Sequence, residues 1–254
     1  LKRYIFLIAV FCLLVPGSMA FAQQPLFDEA NSLLSEGNYQ QAVNMYQSIA
    51  DDGYESGALW QNLGVAYTRL DSLGKAKYYF LKAEKFSETE QQAETALQFI
   101  NNQFPRQSAV LPALPWIRFI NFLSENIGLK AIAFAALFFL YLGIASKIGA
   151  WFRFDFKKTL NYVSYGSIIF SVVLLICSIV IQYQQNRYST GVMIDREAPV
   201  YQRPEDNSTV ISTAYEGYKM QVDKTESENQ QSWKYIRLEN GMYGWIRDGH
   251  IMTF

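Results

Sequence analysis

The sequence predicts a multi-domain membrane protein: an all-α helical repeat module, a transmembrane helical hairpin, and a small all-β barrel. Three observations carry that expectation. Two apolar runs, residues 127–148 and 162–181, each come close to the ~20 residues that cross a bilayer as helix. Ahead of them, between residues 26 and 83, large and small apolar residues return with a period of about 34. Behind them, over residues 188–254, the pattern shortens to strand-length runs separated by turn residues.

The amino end has the form of an export signal, residues 1–22. Lys2 and Arg3 precede an apolar run from Tyr4 to Val15, Pro16-Gly17 breaks it, and Ala20-Phe21-Ala22 supplies small residues for cleavage. A retained signal anchor is the alternative. Cys12 follows residues too bulky for lipid attachment, and Cys177 lies in the second apolar run, so neither exported module forms a disulfide.

The first module, residues 23–104, is read from its spacing. Trp60, Leu63, Gly64 and Tyr67, then Ala76, Phe80 and Ala83, follow a helix-pair pattern. Leu26, Ala30, Leu33, Ala42, Tyr46 and Ile49 follow it one period earlier. Pro25 suits a first helical turn, Gly37-Asn38 breaks the first pair, and Asp71-Ser72 leads into the next helix. Ser87 with Glu90 forms a capping box for a helix over 88–104 whose glutamine-rich surface caps the array.

These residues resemble tetratricopeptide repeats: two repeats plus a capping helix, close to the minimum for stability. Where that family usually has a proline shortly after Ala83, this chain has Glu88. The resemblance implies a concave face, made by the first helices, that holds a peptide or protein segment. Candidate groove residues are Asn31, Gln61, Asn62, Ala66 and Arg69. Asn62 and Arg69 have the chemistry to hold a backbone or a carboxylate. The plainer reading of each is a solvated surface position.

Pro105, Pro112 and Pro115 end the helical register, and residues 105–126 form a juxtamembrane linker. Its apolar part, Trp116, Ile117, Phe119, Ile120, Phe122 and Leu123, suits either the membrane surface or the start of a long tilted helix. The spans follow as residues 127–148 and 162–182, joined by a loop at 149–161. Lys147, Arg153, Lys157 and Lys158 stand in or beside that loop against Asp155. Basic residues in a short loop mark the cytoplasmic side, so both flanks face the exported compartment. Trp151, Phe152, Phe154 and Phe156 suit the headgroup layer. The spans contain no Asp, Glu, Arg or His, and Lys130 snorkels, which points to anchoring rather than ion transport. Small residues at Gly143, Ala145, Ser146, Gly149 and Ala150, and at Ser164, Gly166 and Ser167, serve contact within the hairpin or a partner helix.

In the last module, strands are expected at 192–194, 200–201, 209–211, 218–222, 233–238 and 243–246, with turns at 203–208, 216–217, 227–230 and 240–241. Asn240-Gly241 marks a tight hairpin. Ala198-Pro-Val-Tyr201, Trp233-Lys-Tyr-Ile-Arg-Leu238 and Gly244-Trp-Ile246 resemble a bacterial SH3-type domain. That resemblance implies binding of peptide or cell-wall material, with Tyr201, Tyr218, Trp233 and Trp245 as candidates, or a purely structural contact.

Charge and chemistry narrow the function classes. With 23 acidic residues against 22 Lys plus Arg overall, residues 23–115 hold six basic and eleven acidic, and 188–254 seven and ten. Neither module offers the dense positive face that nucleic acid requires. The one histidine, His250, is expected in a terminal strand with no second imidazole or exported thiolate beside it. That excludes a transition-metal site or a Ser-His-Asp set. No phosphate-binding loop is present, and the acid pairs Asp51-Asp52 and Asp195 with Glu197 are turn residues. No enzyme, cofactor or metal is expected.

As a whole, the order of signal, repeats, two spans and SH3-like domain resembles BatE-like proteins of the Bacteroides aerotolerance (Bat) family. The resemblance implies a scaffold or adaptor in a bacterial inner-membrane complex, with periplasmic modules and von Willebrand A domain proteins as partners. The alternative is an envelope sensor whose SH3-like domain binds peptidoglycan peptides.

Overall fold

A computed structural model of the chain describes residues 20–106, 108–152 and 156–254. The expected signal lies outside these residues except for Ala20–Ala22, which open the first helix. The chain divides into two compact units. One comprises residues up to 108 with 191–220 and 246–254, the other 109–190 with 221–245.

The first unit is built on α1 (Ala20–Ser35), α2 (Tyr39–Asp51), α3 (Gly57–Arg69), α4 (Leu73–Ala83) and α5 (Glu90–Asn101). Their short connections make neighbouring helices antiparallel. The repeat is visible in the backbone. Gly37 has φ +84° and Asp71, at the same place in the next pair, has φ +56°. Each is followed by the same closing bond, Asn38 N–H to Leu33 O at 2.9 Å and Ser72 N–H to Tyr67 O at 3.0 Å. This is the left-handed helix stop normally given to glycine, and Asp is among the few side chains that tolerate it.

Packing explains the small residues. Ala30, Ala42, Ala76 and Ala83 are fully buried at helix crossings. A Cβ on Gly64 would stand 2.6 Å from the Phe80 ring, so the ring fills that space. Trp60 and Tyr67 each stack on Tyr79, with ring centroids 5.9 and 5.4 Å apart.

Two helix starts differ from expectation. Pro25 lies inside α1, because the helix already begins at Ala20. Thr89, not Ser87, stands before α5, and its hydroxyl donates to the Ala83 carbonyl at 2.8 Å instead of capping. The expected capping box is therefore absent, and α5 stops at Asn101 while Phe104 is buried beyond it.

The carboxy-terminal strands are β1 (Tyr188–Met193), β2 (Glu197–Tyr201), β3 (Val210–Tyr215), β4 (Lys219–Asp223), β5 (Trp233–Leu238), β6 (Tyr243–Arg247) and β7 (Ile251–Thr253). They form an antiparallel sheet in the order β3-β2-β6-β5-β4-β1-β7. β1 pairs with β7 through Val192 opposite Met252, and β2 pairs with β3 through Ala198 opposite Ala214, with an irregularity at Val200/Tyr201. Gly241 takes φ +86° and closes the β5–β6 hairpin, where Leu238 N–H reaches Met242 O at 2.9 Å.

Three details depart from the sequence reading. The terminal strand expected around His250 begins one residue later, as β7. A short helix, α9 (Lys224–Ser227), opens the segment read as a turn. His250 ends a 3-10 turn, Asp248–His250, rather than standing in a strand, and its Nδ1 lies 2.6 Å from Asp195 Oδ2. Asp195 is thus a partner of the lone histidine, not simply a turn residue.

Within the first unit, strand residues continue the helical core. Val192 is fully buried with the helix residues, and Met252 and Phe254 pack beside it. Tyr78 donates to the Thr253 carbonyl at 3.2 Å and meets the Phe254 ring edge-on. Gly74 N–H, in the first turn of α4, donates to Glu216 Oε1 at 2.7 Å. A Cβ there would come within 2.6 Å of the Met193 carbonyl oxygen.

The second unit holds α6 (Pro115–Asn126), α7 (Leu129–Phe152) and α8 (Lys157–Arg187). α7 and α8 are long and apolar enough to cross a membrane. Both extend past the expected limits, so most of the loop assigned to 149–161 is helical. Arg153 and Asp155 lie outside the described residues. The buried faces carry small side chains: Gly143, Ser146 and Ala150 on α7, Ser164, Ser167 and Ser171 on α8. Ser171 Oγ donates to the Ala136 carbonyl at 2.7 Å. Gly166 has open space around it, which leaves it off the hairpin contact. Lys147 ends the pair by donating to Asn161 Oδ1 at 3.1 Å and Tyr165 Oη at 2.9 Å.

Beyond α8, Arg187 Nε donates to Asp223 Oδ2 at 2.9 Å, and Asp223 Oδ1 accepts the Glu226 N–H that opens α9. Leu111 N–H reaches the Glu239 carbonyl at 3.0 Å, so the linker is tied down at that point.

Candidate functional site

The helical array contributes a groove between α3 and α5. Val65, Thr68 and Arg69 form one wall, Ala96, Phe99, Ile100 and Gln103 the other, and Phe80 the floor, around a cavity of about 410 Å³. The local sequence explains the geometry. Residues four and seven apart share a helix face, which places Gln61, Val65 and Thr68 in one row on α3. Ala96 and Ile100 repeat the first step of that spacing across from them, with Phe99 beside Ile100 and Gln103 just past the helix end.

Thr68 donates its hydroxyl to its own helix, at the Gly64 carbonyl, 2.8 Å away. Phe99 remains 59% exposed although it is large and aromatic. Arg69 stands exposed at the rim. At the other end of the row, Gln61 Oε1 is buried and has no hydrogen-bond partner. A buried acceptor in that state carries a desolvation cost of about 1–3 kcal/mol. The groove therefore combines apolar walls with one cation at its rim. That combination suits an apolar peptide side chain flanked by a carboxylate group.

The expected groove residues separate into two sets. Arg69 lines the cavity. Asn31 and Asn62 are brought together, but toward each other: Asn31 Oδ1 accepts from Asn62 Nδ2 at 2.8 Å and from the Tyr46 hydroxyl at 2.6 Å. Burial pushes the Tyr46 phenol up to about 12, against the weaker opposing effect of the neighbouring Asn62 amide. This cluster ties α1, α2 and α3 together. Ala66 is fully buried in the core and cannot meet a ligand, because its row faces the paired helix rather than the groove.

The sheet candidates also separate. Trp233 is buried, which removes it from any open aromatic pocket; its position at the start of β5 points it into the sheet's core. Trp245 is half-buried against Tyr235 at 5.1 Å, and Tyr243 stacks on the same Tyr235 at 6.3 Å. Tyr201 is half-buried on β2, and Tyr218 packs edge-on to Tyr215. A second cleft of about 380 Å³ is lined by Pro105, Arg106, Arg196, Glu197, Tyr215 and Glu216. There the Arg106 guanidinium sits 4.2 Å from the Tyr215 ring centre.

Sequence reasoning missed the α5 wall. Its signal was Phe99, an aromatic residue placed on a helix surface otherwise rich in Gln and Glu. A solubilising cap does not need a large apolar side chain there.

Comparison of the sequence with protein-family models finds no match. Comparison with curated proteins finds none either.

Proposed function

We propose that this chain is a non-enzymatic scaffold of a bacterial inner membrane, holding a partner protein segment in the α3–α5 groove. The observation that carries the reading is the groove itself: exposed Phe99 and Arg69 frame a cavity whose floor is Phe80. An array closed for stability alone has no reason to leave those groups open.

In this reading the helix pairs are tetratricopeptide repeats and the strands are an SH3-like barrel. The order of parts is that of a BatE-like protein of the aerotolerance family. Von Willebrand A domain proteins of the same membrane are the expected partners. The positive residues Lys147, Lys157 and Lys158 near the α7–α8 connection support a cytoplasmic turn. Residues before and after the spans share one core, Val192 and Phe254 with Tyr78 among them, which supports both flanks lying on one side, the periplasm. The alternative, a sensor of peptidoglycan peptides, loses support from the burial of Trp233.

A photo-crosslinking residue at Phe99, in the full chain within its own membrane, tests the reading. It should give one discrete adduct with a membrane protein bearing a von Willebrand A domain, weakened several-fold by Arg69→Ala. The same probe at Glu94, on another face of α5, should give none. Equal adducts at both positions, or no adduct at Phe99, would refute the proposal.

A further inference from the structure

Helix α6 ends sharply instead of running on into α7. Both Ile127 N–H and Gly128 N–H bond to the Leu123 carbonyl, at 3.2 and 3.1 Å, and Gly128 takes φ +78°. That is a glycine stop, so the expected alternative of one long tilted helix is excluded. α6 is a separate helix lying against the end of the hairpin.

Its residues sort into two arcs at the helical spacing. Arg118, Asn121 and Glu125 share one side; Trp116, Phe119, Ile120, Phe122 and Leu123 share the other. One edge of the apolar arc is used: Leu123 is buried with Ile132 and Ile181, and Ile120 packs beside them. Gln185 Nε2 donates to Ser124 Oγ at 3.2 Å. These contacts fix the height of α6 at the end of the α8 apolar run, where Gln182, Gln184 and Gln185 replace Ile and Val. The other edge is open, with Phe119 and Phe122 exposed by 57 and 56%, and Trp116, one turn before Ile120, is exposed by 61%.

We propose that α6 is a membrane-surface helix that inserts Trp116, Phe119 and Phe122 into the acyl boundary of the bilayer crossed by α7 and α8. The occupant of the open edge is lipid, because Leu123 anchors α6 on Ile132 and Ile181 of the same hairpin whose Phe134 and Phe138 are also exposed. Aromatic rings favour the headgroup level, and amphipathic helices settle about 5–10 Å into it. Arg118 and Glu125 cancel in charge, so the attachment is apolar and indifferent to anionic lipid and to salt.

The test uses the full chain, with native cysteines replaced, in phosphatidylcholine vesicles. Nitroxide labels are placed singly by Phe119→Cys, Glu125→Cys and, as a control within the span, Phe138→Cys. The label at 119 should collide several-fold more often with oxygen than with a water-soluble nickel chelate, and the label at 125 should show the reverse. Those ratios should hold when anionic lipid or salt is added. Equal nickel access at 119 and 125 would place the face in water. Shielding of 119 from both reagents would assign it to protein. Dependence on anionic lipid would assign the attachment to charge. Each outcome overturns the proposal. The proposal rests on α7 and α8 as spans, and the label at 138 separates the two: oxygen-rich collisions there with a negative result at 119 remove only the surface helix. Quenching of Trp116 by bromine-labelled lipid, with Trp116→Phe as the blank, gives the same reading without altering Phe119.

Discussion

The helical array and the apolar hairpin both bring helices together at glycine, but they sort their other side chains in opposite ways. At Gly64 the space is taken by the Phe80 ring, within a core of Tyr46, Leu59, Leu63 and Ile100. At Gly143 it is taken by the Ile168 side chain, with the Ser164 carbonyl oxygen beside it. The array buries its large apolar side chains and exposes polar ones, as water demands. The hairpin buries Ser164, Ser167 and Ser171 and turns Phe134, Ile169 and Ile179 outward, with exposures of 72, 65 and 65%. In hydrocarbon, large side chains gain nothing by leaving the solvent, so close backbone approach and interhelical hydrogen bonds take over. The inversion is itself evidence for the surroundings of each region.

The largest expected contrast comes from truncating a phenylalanine in each region. Phe80→Ala should cost about 3–5 kcal/mol, read as a lower urea midpoint for loss of the array's near-ultraviolet dichroism. Phe138→Ala should change stability by no more than about 0.5 kcal/mol. Equal losses would show that the hairpin is packed like a water-soluble core.

A smaller contrast lies within the hairpin. Gly143→Leu should separate α7 from α8 at a cost of about 1–3 kcal/mol, while Gly166→Leu should be silent. Ser171→Ala should lose about 0.6 kcal/mol. Unfolding in bicelles, followed by trapping of the separated helices, measures all three, and an effect of Gly166→Leu as large as that of Gly143→Leu would refute the assigned contact face.

Of these two regions, base should act on the array. Burial raises the phenols of Tyr46, Tyr67 and Tyr78 to about 12, whereas unfolded tyrosine ionises near 10. Above about pH 10 the unfolded chain holds fewer protons than the folded one, so stability falls as pH rises from 10 through 12 and is unaffected below that window. Tyr78→Phe should shallow the fall. Helix loss in the hairpin over the same range would contradict this division.

Much of this contrast was legible in the sequence, because it rests on spacing. The 34-residue return placed Ala42 with Ala76 and Ala30 with Gly64, and length plus hydropathy pointed to both long apolar helices. Contacts between distant segments were not legible. Nothing local marks Glu216 as the acceptor for Gly74 N–H, or Phe254 as a neighbour of Tyr78. The cavity wall was half legible: Arg69, chosen as a residue off the packing positions, lines it, but Ala66 is buried because a small residue on a first helix can equally fill a crossing. Asn31 and Asn62 were chosen for polarity, which gave no sign that they bond to each other. Trp233 was chosen for chemistry when strand alternation pointed it inward. Whether α6 ends before α7 was left open, because Gly128 lies between two apolar runs that hydropathy alone merges.

The most direct test of the account is the side of the membrane reached by each segment. Single cysteines at Asn102, Lys158 and Glu228, in a chain lacking the native ones, are offered a membrane-impermeant maleimide in cells with a permeable outer membrane. The account predicts labelling at 102 and 228 together, and labelling at 158 only after the inner membrane is broken. Labelling at 158 in intact cells, with 102 and 228 silent until lysis, would contradict it.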